Sequence, residues 1–151
     1  CSAYGLVWVG FDLGATALQW ALERLALLSP GMRSSSTALG AGLLLVAAIY
    51  QWSPSKAVCL EHCRGPLHFL LGYWRPGVLG GWRMGLAHGA YCLGCCWALM
   101  GLLFVVGVMN LLWVAVIGAF ILLEKNLRQG LWLSRICGVL LLGWSLWLLL
   151  G

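Results

Sequence analysis

The feature that most constrains this chain is an uncharged run of forty residues. Residues 84–123 contain no Asp, Glu, Lys or Arg. As a helix rising 1.5 Å per residue, this run is about twice as long as the roughly 30 Å needed to cross the hydrocarbon of a bilayer. Only 9% of the chain is charged, whereas a soluble domain has about a quarter charged residues. The sequence therefore predicts an integral membrane protein and excludes an ordinary soluble bundle.

The hydrophobic pattern predicts an all-α, polytopic transmembrane helical bundle that forms a single membrane domain over residues 1–151. Pro and Gly residues and short polar stretches divide the apolar sequence. Between the second and third spans lies a polar Cys/His segment, residues 53–83, which we expect at the membrane interface with a helix over residues 57–73. The five predicted spans cover about residues 3–22, 36–50, 85–106, 111–123 and 131–150.

Basic residues in the connections predict how the chain is oriented. Seven fall on the side shared by the N-terminus and the Cys/His segment, and two on the other. This bias predicts a multi-pass membrane protein with the N-terminus and the Cys/His segment facing the cytoplasm. Contact with anionic lipid explains the net charge of +5, so no nucleic-acid partner is expected. The seven are Lys56, Arg64, Arg75, Arg83, Lys125, Arg128 and Arg135, and the two are Arg24 and Arg33.

Two short windows concentrate potential metal ligands at helical spacing. Residues three or four apart share a face of a helix, so ligands within one window can bind one metal ion. Thiolate and imidazole ligands suit copper or zinc, with iron a weaker candidate, whereas Ca²⁺ and Mg²⁺ prefer oxygen. The first window holds Cys59, His62 and Cys63, and the second holds His88, Cys92, Cys95 and Cys96.

Two other interpretations of these cysteines remain open. Cys also serves as a small apolar residue in protein interiors, and His88 would then be a hydrogen-bonded interior histidine. A disulfide such as Cys59–Cys92 would require the oxidising side of the membrane, opposite to the predicted orientation. Cys1 and Cys137 belong to neither window and are expected to be structural.

A polar stripe on the first predicted span is a second candidate site. Its members lie within about 60° on one helical face, and a charge near the middle of a span costs several kcal/mol unless it is paired, hydrated or protonated. The stripe is either a buried polar site, such as a proton path or a carboxylate ligand, or a face for helix–helix hydrogen bonding. It consists of Asp12, Thr16, Gln19 and Glu23.

Several stretches resemble a known bacterial family, that of predicted metal-binding integral membrane proteins. They are residues 50–66, 83–100, 108–111 and 123–125, which include both Cys/His windows, and the resemblance spans roughly residues 5–125. It implies a location in the bacterial inner membrane but no settled reaction. Members usually begin with an additional Met-rich helix, which we expect to be missing from this sequence.

The sequence thus predicts a metal-binding integral membrane protein with copper or zinc at a Cys/His site. The leading ligands are Cys59, Cys63, Cys92 and Cys96, with His62, His88 and Cys95 as alternative or supporting groups. The protein would be a metal-dependent membrane oxidoreductase or a metal-handling protein, which leaves open whether it is an enzyme. The alternative is an accessory subunit of a larger membrane complex, stapled by zinc. Each of these requires the two windows to be adjacent in space.

Overall fold

The computed structural model describes residues 2–26 and 36–151, and every regular element in these two ranges is an α-helix. The all-α prediction is confirmed. Cys1 and Arg33 lie outside the described residues. The helices are α1 (Ser2–Arg24), α2 (Thr37–Gln51), α3 (Pro54–Arg64), α4 (Pro66–Gly72), α5 (Val78–Gly101), α6 (Leu103–Val106), α7 (Leu111–Asn126) and α8 (Gly130–Leu150).

Local sequence explains where the Cys/His segment divides into helices. Ser53 caps α3 by accepting a hydrogen bond from the backbone N–H of Ser55, and Pro54 occupies the first turn, where no N–H is needed. The helix expected over residues 57–73 is interrupted at Gly65, because Pro66 disfavours a helical conformation in the residue before it. Gly77, at φ +90°, then turns the chain into α5, which starts seven residues before the predicted third span.

The interior is formed where α2, α5 and α8 meet, with α3 and α7 closing one end. Leu44, Leu60, Leu99 and Leu141 are buried together there. Small residues let α2 and α8 approach closely: the hydroxyl of Ser145 donates a hydrogen bond to the Ala41 carbonyl oxygen at 2.9 Å. Such packing through small and hydroxyl-bearing side chains is typical of helix pairs in apolar surroundings.

A buried polar group, which we call the ionic anchor, ties α3 to α7 and α8. The Lys56 ammonium lies 2.8 Å from a Glu124 carboxylate oxygen, and both side chains are 1% exposed. Lys56 also donates to the side-chain oxygen of Gln51, which accepts a second bond from Ser134 at 2.9 Å. The anchor therefore fixes the beginning of α3 against three other helices.

Fewer helices could cross a membrane than the five predicted. Two in the described part of the chain, Val78–Val106 and Gly130–Leu150, are long and apolar enough. A third is possible if α2 and α3, which meet at a bend of 67°, form one broken span. At 15 and 16 residues, α2 and α7 reach only about 22–24 Å, short of the roughly 30 Å required. α1 is long enough, but Asp12 and its polar neighbours make it less apolar.

Candidate metal centre

The two Cys/His windows lie on α3 and α5, which pack against each other. They approach closely at Gly94, where an added Cβ would lie 2.8 Å from the Cys59 Sγ atom. Tyr50, at the end of α2, donates its hydroxyl to the Gly94 carbonyl oxygen and so holds α2 against the same point of α5. The adjacency that a shared metal site requires is thus present in the structure.

Four thiols gather beside this contact, and we call them the sulfur cluster: Cys63, Cys92, Cys95 and Cys96. The Cys63 side chain, on α3, interacts with those of Cys92 and Cys95 on α5, and Cys95 interacts in turn with Cys96. The three α5 cysteines are at most 5% exposed, whereas Cys63 is half-buried. Cys95 and Cys96 both donate to the Cys92 carbonyl oxygen, each at 3.1 Å. The cluster bridges the two predicted windows.

All six cysteines among the described residues are free thiols. Cys59 and Cys92, the pair considered for a disulfide, are unbonded. Cys137 lies on α8, half-buried and outside the sulfur cluster. The structure therefore favours thiols available to a metal over a disulfide framework.

The thiols do not form a ready-made polydentate site. Within residues 2–26 and 36–151, no three or more His, Cys, Asp or Glu side chains converge on one metal position. A structural zinc site requires about four converging ligands, so a zinc staple is not supported here. Cu(I) is soft, is selected by thiolates and is stable with as few as two sulfur ligands, which neighbouring thiols of α3 and α5 can supply.

The two predicted histidines lie in different surroundings. The Nε2 atom of His88 is 3.7 Å from the Cys92 Sγ atom, next to the sulfur cluster. The ring of His62 instead stacks on Tyr91, with centroids 4.5 Å apart, and its Nδ1 atom is 2.8 Å from the Val58 carbonyl oxygen. Of the pair, His88 is placed to assist a metal at Cys92, while His62 belongs to an aromatic group with Phe69 and Tyr91.

Lys125, on α7, interacts with the sulfur cluster. From the sequence, this residue indicated only how the chain is oriented in the membrane. Burial alone would lower the pKa of Lys125, but the thiol groups of Cys95, Cys63, Cys96 and Cys92 together raise it above its ordinary value. The ammonium therefore lies in the electrostatic range of the sulfur cluster. A clue was present in the sequence, since Lys125 follows directly on Glu124 at the end of a long apolar stretch.

The polar stripe of α1 is not buried in this chain. Asp12, Thr16 and Glu23 are exposed, and Gln19 is half-buried. Within the helix, Thr16 donates to the Asp12 carbonyl oxygen at 2.7 Å, and Gln19 donates to a Glu23 carboxylate oxygen at 3.5 Å. Both interpretations of the stripe, a buried polar site and a face for helix–helix hydrogen bonding, stay predictions, because helical periodicity shows which residues share a face but not what covers that face.

An all-helical chain with four adjacent thiols defines a protein suited to a soft metal ion. A family model described as PpoB2, a copper chaperone, matches residues 1–148, and the chain belongs to this family. The expectation of a metal-binding family is thereby confirmed. No curated protein and no solved structure matches the chain.

Proposed function

We propose that this protein is a membrane-bound copper chaperone that binds Cu(I) at the sulfur cluster and releases it to an acceptor protein. The observation that carries the proposal is the packing of α3 against α5, with Cys59 against Gly94, which brings the Cys63 thiol within electrostatic range of the buried thiols of Cys92 and Cys95. Copper is the cargo in this scheme, and it enters and leaves by exchange of sulfur ligands.

The arrangement of the thiols suits transfer better than storage. A closed four-ligand site holds its metal tightly, whereas a two- or three-coordinate Cu(I) leaves room for an incoming ligand of the acceptor. The cluster contains more thiols than such a complex needs, so one can stay bound while another exchanges. Cu(I) can therefore pass onward without being released as a free ion.

Lys125 supports this chemistry electrostatically. Two thiolates bound to one Cu(I) carry a net charge of −1, which is costly to bury without a counter-charge. The ammonium that responds to all four thiols of the cluster offsets that charge. The proposed role of Lys125 is thus to stabilise the loaded state.

The proposed location is the bacterial inner membrane, with the sulfur cluster near the cytoplasmic face. Two or three helices of sufficient length and apolarity support contact with lipid. Basic residues within the Cys/His segment itself, Arg64, Arg75 and Arg83, support the orientation. The copper acceptor would be another protein at that membrane, and no nucleic acid takes part.

Metal handling is better supported than the other functions considered. The family match describes a copper chaperone, which concerns copper rather than zinc or iron. Among the described residues, no feature specifically supports an oxidoreductase or a zinc-stapled accessory subunit. Transfer of copper by ligand exchange, without conversion of a substrate, accounts for both the sulfur cluster and the family match.

Competition for Cu(I) in detergent, under anaerobic and reducing conditions, tests this function. Bicinchoninate, a coloured Cu(I) chelator, reports how strongly the protein retains the metal. We expect tight Cu(I) binding that falls at least tenfold, about 1.4 kcal/mol, in both Cys92→Ser and Cys63→Ser. Cys137→Ser is the matched control, because it removes a half-buried thiol outside the cluster. Binding unchanged by the first two substitutions contradicts the proposal.

A further inference from the structure

Three soft ligands of increasing strength stand in a row on α5. Met84, His88 and Cys92 are spaced four residues apart, which places them on one helical face with steps of about 6 Å. The row ends at the sulfur cluster, of which Cys92 is a member. A neutral thioether binds Cu(I) weakly, imidazole binds it more strongly, and a thiolate most strongly.

The far end of this row opens into a cavity. The cavity has a volume of about 690 Å³ and lies where α1 and α4 approach the first turns of α5. Met84 and His88 both contribute to its wall, and aromatic side chains surround them. Other residues of the wall are Tyr4, Phe69, Trp74 and Arg75.

His88 connects the cavity to the sulfur cluster. It lines the cavity, and its Nε2 atom lies 3.7 Å from Cys92 Sγ. Its Nδ1 atom is buried and has no hydrogen-bond partner among residues 2–26 and 36–151. A buried polar atom left unpaired costs about 1–3 kcal/mol, so an imidazole kept in this state points to a ligand that it meets intermittently.

We propose that this cavity is the port for copper, and that Met84 and His88 form an entry site that passes Cu(I) to Cys92. This inference rests on the proposed function, since it assumes that the sulfur cluster binds copper. Met84 then acts as a binding residue, although it belongs to neither Cys/His window.

Each step of the transfer is a ligand exchange in which copper remains Cu(I). Met84 and His88 take the ion from the molecule that delivers it. The bond between copper and the ligand of that molecule breaks as the bonds to the Met84 sulfur and a His88 nitrogen form. The Cys92 sulfur next bonds to copper as the Met84 thioether leaves, and the thiol proton is lost to solvent. Cys63 then completes the sulfur coordination, with loss of its own proton.

A comparison of uptake rate with final affinity tests the port. Stopped-flow absorbance follows the loss of Cu(I) from its bicinchoninate complex to the detergent-purified full chain. Met84→Leu keeps nearly the same volume and removes the sulfur. We expect uptake to slow at least tenfold while the equilibrium affinity changes less than about threefold. Met109→Leu, an exposed methionine outside the cavity, is the matched control and should leave the rate unchanged.

A second variant changes the cavity without touching a ligand. Gly81 lines the cavity and has open space around it, so Gly81→Phe should narrow the port and slow uptake while leaving the affinity intact. Gly118→Phe, likewise placed in open space but on α7, is its control.

The outcomes separate the two proposals. Normal uptake in Met84→Leu and Gly81→Phe, with Cu(I) still bound at the thiols, overturns the port and leaves the chaperone function standing. A loss of affinity in Met84→Leu as large as that in Cys92→Ser also overturns it, since Met84 would then be a ligand of the final site. If the wild-type chain binds no Cu(I), both proposals fail.

Discussion

The two ends of α3 differ in how their buried polar groups are satisfied. Near its start, Lys56 is held by Glu124 and by Gln51, both from other helices. Near its end, Cys63 interacts with the thiols of Cys92 and Cys95, and the thiols of Cys95 and Cys96 donate to the backbone of their own helix. One end is an ionic anchor with strong partners, and the other is a set of weak contacts that a metal can replace.

This difference follows from the chemistry of the groups. A buried charge is stable only when its partners are fixed, because losing one leaves an uncompensated ion in a medium of low dielectric constant. Thiols are weak donors and behave as small apolar groups, so they can turn toward a metal at little cost. Under the proposed function, a rigid anchor beside an adaptable ligand set would let α3 stay in place while copper binds and leaves.

Breaking the anchor should have the largest effect. Lys56→Met leaves Glu124 buried without its counter-charge, and we expect the free energy of unfolding to fall by about 3–5 kcal/mol. Denaturant unfolding in detergent, followed by circular dichroism, measures this. The double variant Lys56→Met/Glu124→Leu should recover part of the loss, because no charge remains unpaired. A loss below about 1 kcal/mol in the single variant would show that the ion pair does not hold α3 in place.

Loading the sulfur cluster should stabilise the protein by a smaller amount. A ligand that binds only the folded chain adds about 2.7 kcal/mol at a free concentration one hundred times its Kd. We therefore expect buffered Cu(I) to raise the unfolding midpoint of the wild-type chain, and a stronger chelator to reverse the rise. Cys92→Ser should lose most of this increase. An equal increase in wild type and Cys92→Ser would place the copper away from the cluster.

Removing the charge beside the cluster should weaken copper binding more modestly. Lys125→Met takes away the ammonium that offsets the thiolate charge, and we expect the Cu(I) affinity to fall about tenfold, or 1.4 kcal/mol. Competition with bicinchoninate at two salt concentrations measures the effect. Arg128→Met removes an exposed cation nearby and should change the affinity little, since solvent screens it. Equal losses in the two variants would mean that only the net charge matters.

The smallest effect is expected at His62, which precedes Cys63 on α3 but is not part of the sulfur cluster. His62→Phe keeps a ring that can stack on Tyr91 but removes both nitrogens. Because His62 contacts aromatic rings and a backbone carbonyl oxygen, we expect the Cu(I) affinity to change less than about twofold. Isothermal titration with a Cu(I) complex can resolve this. A tenfold weaker affinity would show that His62 turns toward the metal on binding.

The local parts of this architecture were within reach of the sequence. The apolar composition and its breaks at Pro54, Pro66 and Gly107 set an all-helical chain and most helix ends, since these depend on nearby residues. The spacing of the α5 cysteines alone predicts that they share one helical face, because the period of a helix is fixed. The expectation of a soft-metal site follows from the same local information.

Tertiary structure decided the rest. It placed Cys63 beside Cys92 and Cys95 and stacked His62 on Tyr91. It also paired Lys56 with Glu124, sixty-eight positions away. The sequence pattern is nearly silent on such pairings in an apolar chain, because helices that are hydrophobic on most sides do not reveal which face meets which neighbour. Packing also determines that the α1 stripe is exposed. The positions of the helix ends determine that α2 and α7 are short, and composition predicts neither. Thus the sequence by itself determined that thiols would be available on helices, and only packing between helices determined which thiols lie together.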